Sequence, residues 1–171
     1  MDLSTLNTVN FTDVKIGSLC FWNNYGDISQ LIMKAGVFKV AENSDKNEEL
    51  IGEFCVFLSG DQPFTFSRYN NERLTVTQIE EYTFELINNS VDTDPEAKKI
   101  GGEIYSEGKN LYLFLDNRGY RNQGYLNLTT GKLLSNLGDV RVSKIHQWSI
   151  IVPKNKIEKG IGCTVFSYPL T

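Results

Sequence analysis

The sequence predicts an α+β fold: one domain over residues 1–171, dominated by an antiparallel β-sheet, curled or two-layered, with about two short helices at 28–35 and 78–88. Three observations predict it. Runs rich in β-branched and aromatic residues recur along the chain, separated by turn formers. From Gly102 onward these runs are joined by connections of about 2–5 residues, which makes successive strands antiparallel neighbours. Two segments place apolar residues at helical spacing behind a capping residue. At 171 residues and 40% hydrophobic content the chain supplies the core of a single domain.

The first strand reads as Val14–Trp22. Asp27 then stands at an N-cap position with Gln30 three residues on, and Ile28, Leu31, Ile32 and Ala35 follow at i, i+3, i+4 and i+7. Gly36 supplies the stop, so the first helix is expected at 28–35. Strands follow at Val37–Val40, Leu50–Leu58 and Pro63–Tyr69, with a polar loop at 41–49. Thr77 and Glu80 form a second capping box, and Ile79, Tyr82, Leu86 and Ile87 line one face of the expected helix 78–88. Its other face carries Glu80, Glu81 and Glu85, with Phe84 set among them. A second surface loop is expected at 89–99.

The remainder is hairpins. Glu103–Ser106 and Leu111–Asp116 flank a turn at Glu107–Asn110, and Gly124–Leu128 and Lys132–Leu134 flank Thr129–Gly131. Val140–Ile145, Gln147–Val152 and Gly162–Tyr168 complete the chain. Leu111, Leu113 and Leu115 alternate with Tyr112 and Phe114, so that strand is apolar on both faces and should be central and covered on each side. Trp148, Ile150 and Val152 share the face that should point to the core.

Composition and motifs exclude more than they assign. No apolar run approaches the ~20 residues of a membrane span. Residues 1–6 lack a basic region followed by an apolar one, so a soluble, cytoplasmic protein is expected. Cys20, Cys55 and Cys163 lie in apolar strand-like runs and read as small buried hydrophobes. No phosphate loop, GxGxxG, GxSxG or HExxH pattern occurs, and neither a cofactor nor a metal site is expected. Asp92, Asp94 and Glu96 lack the further ligands and the glycine of a calcium loop. The single histidine, His146, would need a carboxylate or nucleophile beside it for catalysis, such as Asp116 or Cys163.

Charge is the most informative property. Residues 1–95 hold 15 Asp/Glu against 6 Lys/Arg, whereas residues 96–171 hold 6 against 11. Such a split is met either by acids of one half facing bases of the other, or by a partner surface of defined sign. The expectation is a non-catalytic binding protein, an inhibitor or immunity-type protein that neutralises a basic partner protein through Glu48, Glu49, Glu80, Glu81 and Glu85. One alternative is a nucleic-acid module using Arg118, Tyr120, Arg121 and Tyr125, which the net charge of −4 disfavours. The other is a small hydrolase or transferase with a cleft near His146.

Overall fold

The runs rich in β-branched and aromatic residues pair into antiparallel ladders. The computed structural model describes residues 8–22, 30–40, 48–68, 74–87, 91–92, 98–117, 122–138, 142–153 and 162–169. In chain order the strands are β1 (Thr8–Asn10), β2 (Leu19–Trp22), β3 (Gln30–Val40), β4 (Glu48–Phe57), β5 (Thr65–Arg68), β6 (Thr75–Ile79), β7 (Thr83–Leu86) and β8 (Val91–Asp92). They continue as β9 (Ile104–Glu107), β10 (Asn110–Asn117), β11 (Asn122–Asn127), β12 (Leu133–Leu134), β13 (Ser143–Ile145), β14 (Trp148–Pro153) and β15 (Gly162–Tyr168). One 3₁₀ turn, Phe11–Asp13, is the sole helical piece among the described residues.

Among the described residues three sheets result, ordered β1-β6-β2-β3-β4-β5, β12-β11-β10-β9-β13-β8 and β15-β14-β7. The fold is therefore a single β-rich domain, nearly all sheet, and the expected α+β class is corrected. Neither helix forms among the described residues. Gln30–Ala35 runs inside β3, where Leu31, Met33 and Ala35 enter the main core while Ile32 and Lys34 are buried on the opposite side. A strand buried on both faces is apolar at nearly every position, which also satisfies helical spacing. In the second segment β6 ends at Ile79, a turn holds Glu80 and Glu81, and β7 begins at Thr83. Tyr82, Phe84 and Leu86 turn inward while Glu81, Thr83, Glu85 and Ile87 are exposed, a period of two. Of the expected loops, 41–47 lie outside the described residues, but Glu48 and Glu49 already belong to β4. Val91 and Asp92 of the expected loop 89–99 form β8.

One core draws on all three sheets: Leu19, Met33 and Val56 from the first, Ile104, Leu113 and Leu126 from the second, Trp148, Ile150 and Phe166 from the third. β10 is central, as its two-faced pattern predicts. Leu113 and Leu115 enter this core, while Tyr112 and Phe114 pack on the far face with Tyr105 and Tyr125. Trp148 is fully buried, and its indole N–H donates to the Gly102 carbonyl at 2.7 Å.

The sheets curl toward each other and are tied at two corners. At one, the Asn117 amide donates to the Phe66 carbonyl at 2.7 Å and accepts from the Phe66 N–H at 2.7 Å, continuing the ladder from β10 to β5 with a side chain. At the other, the Gly36 N–H donates to the Gly131 carbonyl at 3.0 Å. Gly131 has φ +70°, and a Cβ there would lie 2.3 Å from the Gly17 nitrogen, so only glycine permits this backbone approach.

Candidate functional site

The β3–β4 hairpin outgrows its sheet. β2 pairs with β3 only as far as Met33, and β5 pairs with β4 only from Phe54 onward. Beyond those limits Val37–Val40 and Glu48–Gly52 form a two-stranded ribbon with no further strand beside β4 among the described residues. Its register shifts between Val37 and Phe38, so that Phe38 faces Leu50 and Ile51 is the extra residue of a bulge. Leu50 is 41% exposed and Ile51 48%, both large apolar side chains in water. Beside them Glu48 pairs with Lys132, whose ammonium also lies 5.4 Å from the Phe38 ring centroid. Glu49 pairs with Lys39 at 3.4 Å. The Glu48–Lys132 pair joins the acidic half of the chain to the basic half, so part of the charge split is met internally. Exposed ion pairs contribute about 0–1 kcal/mol, so these carboxylates can exchange lysine for the cations of a partner at little cost.

The opposite end of β4 leads into a cleft of about 370 Å³ lined by Asp61, Phe64, Ile100, Asp116 and Tyr168 among others. Phe64 has φ +61°, a left-handed conformation that costs a bulky residue about 1–3 kcal/mol. It is held there from three sides. Its N–H donates to the Phe57 carbonyl at 2.7 Å, its carbonyl accepts from the Asp116 N–H at 2.9 Å, and its ring meets Tyr168 edge-on at 5.1 Å and Trp148 at 6.3 Å. Burial, and then the Glu103 charge, raise the pKa of the Tyr168 hydroxyl, which stays protonated.

Behind the cleft lies a buried charge cluster on Glu103, which is 1% exposed. One carboxylate oxygen accepts from the Ile100 N–H at 2.9 Å and the Tyr105 hydroxyl at 3.1 Å. The other meets His146 Nδ1 at 3.0 Å and the buried Lys144 ammonium at 3.7 Å. Burial, reinforced by Glu103, also raises the Tyr105 pKa, so Tyr105 donates rather than ionises. The cluster pins the 98–103 segment to β9 and β13.

The residues singled out from sequence are thus distributed. Ile79 is level with Leu19, Met33 and Val56 across the first sheet, which puts the Glu80–Glu81 turn toward the ribbon end of that sheet. Glu85 sits apart, exposed on β7 opposite Ser149. Arg118, Tyr120 and Arg121 lie outside the described residues. Tyr125 is buried among the Tyr105 and Phe114 rings, with the Lys99 ammonium on its hydroxyl. His146 finds its carboxylate in Glu103, not Asp116, and does not line the cleft. Cys20 and Cys55 are buried free thiols, and the side chain of Cys163 lies outside the described residues. Among the described residues no helix is long and apolar enough to cross a membrane. Sequence reasoning missed Leu50 and Ile51, whose signal was four consecutive residues, Glu-Glu-Leu-Ile, that break the in–out alternation of a covered strand.

No protein-family model, no curated protein and no solved structure matches the chain.

Proposed function

We propose that this chain is a non-catalytic binding protein of the inhibitor or immunity type, which engages a basic partner protein through its acidic end and occludes it. The observation that carries the reading is the coincidence, on one two-stranded ribbon, of Glu48 and Glu49 with exposed Leu50 and Ile51. Carboxylates around an apolar patch give the division of labour of a protein interface: charge steers and selects, and desolvated apolar area holds. Residues 1–95, which supply this ribbon, carry a nine-charge excess of acid over base, the sign that attracts a basic surface. Glu80 and Glu81 extend the acidic field on the same sheet, whereas Glu85 sits apart on β7 of the third sheet.

The test is quantitative affinity capture from nuclease-treated and untreated lysate of the source cell, run side by side with the wild-type chain and a Glu49→Lys/Ile51→Asp variant. The reading expects a basic protein retained by the wild type and reduced at least about tenfold by the variant, equivalent to about 1.4 kcal/mol. Equal retention by both chains would place the interface elsewhere and overturn the assignment. Capture that disappears with nuclease treatment would transfer it to nucleic acid.

A further inference from the structure

The cleft at the far end of β4 has a chemistry of its own. Two carboxylates, Asp61 and Asp116, line it, and among the described residues no lysine, arginine or histidine does. Neither carboxylate has a hydrogen-bond or ion-pair partner among the described residues, whereas Glu48, Glu49, Glu53 and Glu103 each have one. Phe64 and Tyr168 line the same cleft, and the edge-on packing of their rings at 5.1 Å fixes their positions. At the mouth Ile100 is 47% exposed. The walls are preformed: Asp116 is tied by its N–H to the Phe64 carbonyl, and the Thr65 hydroxyl bonds the Gln62 carbonyl at 2.7 Å across the loop. Its volume of about 370 Å³ falls within the ~300–1,000 Å³ of small-molecule sites.

We propose that this cleft binds a small organic cation, an ammonium or guanidinium group on an aliphatic stem. The cation sits between Asp61 and Asp116 and against the aromatic rings, and the stem leaves over Ile100. Two like charges sharing a half-enclosed cleft repel, and a cation between them relieves that repulsion. The rings exclude water from the pair, and a cation over a ring face gains cation–π attraction. An anion meets no group of opposite charge among the described lining residues. The site is separate from the ribbon and does not depend on it.

Titration of the ¹⁵N-labelled chain with agmatine, and with N-acetyl-arginine amide as the same group on a polypeptide, tests the proposal. Saturable shifts at residues 61–65, 100–101, 116 and 168 are expected from at least one probe, and the tighter binder identifies a free or a protein-borne cation as the source. Asp61→Asn/Asp116→Asn should weaken that binding at least about tenfold with an unchanged melting temperature, because the substitution keeps shape and removes charge. Absence of saturable shifts at millimolar probe would overturn the proposal. So would binding undiminished in the double variant, or glucose shifting the same residues as strongly as agmatine.

Discussion

Removing the Glu103 carboxylate asks how much a buried, fully bonded charge contributes to this fold. In Glu103→Ala the Lys144 ammonium stays buried with the Lys98 carbonyl at 3.4 Å as its remaining described contact. The Tyr105 hydroxyl and Ile100 N–H lose their acceptor as well. Breaking a buried pair from one side costs about 3–5 kcal/mol, and each orphaned neutral donor adds about 1 kcal/mol when water cannot reach it. His146, with its side chain 39% exposed, recovers water and adds little. The expected loss is about 5–7 kcal/mol, a large share of the ~5–15 kcal/mol of a typical domain. Lys144→Met leaves Glu103 three donors and should cost about 2 kcal/mol. The double variant strands no charge, so it should be more stable than the sum of the single losses predicts by at least about 1 kcal/mol. Urea unfolding at neutral pH, read by circular dichroism and tryptophan fluorescence with the slope checked for constancy, measures all three. A loss below about 1 kcal/mol in Glu103→Ala, or strict additivity in the double variant, would refute the reasoning.

Two further outcomes follow from the packing. Gly131→Ala puts a methyl into the Gly17 backbone at a position of φ +70°, and should destabilise by about 3 kcal/mol in the same urea assay while leaving the Trp148 environment intact. Burial pushes the Cys20 and Cys55 thiols from the ordinary 9.0 up to about 12. Because the folded state holds these protons more tightly than the unfolded one, their contribution is complete below pH 9 and is lost as pH rises toward 12. A Cys163→Ser chain should therefore resist thiol reagents at pH 8 until unfolded, and its melting temperature should fall across that alkaline window.

Local patterns made much of the fold legible and hid the rest for definite reasons. The β9–β10 turn was visible because Gly108, at φ +59°, sits where a tight turn needs it. β10 was visible because Leu111–Leu115 is apolar at every position, and the bounds of β15 because an apolar run follows Gly162 and ends before Pro169. The two helices were misread where sheet burial imitates helical spacing. Phe84, awkward on the acidic side of a helix, is in register with Tyr82 and Leu86 on a strand and was the sign of period two. Among the site residues, carboxylates were legible as charge but not as geometry. The Glu103–His146 contact spans 43 residues, and the cleft joins residues 61–65 to 100–101, 116 and 168, so neither leaves a spacing to read. The exposed ribbon depended on where β2 and β5 stop pairing, a property of neighbouring strands rather than of the hairpin itself.

The most direct measurement is site-specific photo-cross-linking in the source cell, with benzoylphenylalanine placed at Ile51 and, as a control, at Ser149 on the outer face of the third sheet. The account predicts a discrete adduct with one basic protein from position 51, absent from position 149 and lost when Glu48 and Glu49 are both changed to Lys. An adduct that survives the charge reversal, or equal labelling from both positions, would contradict it.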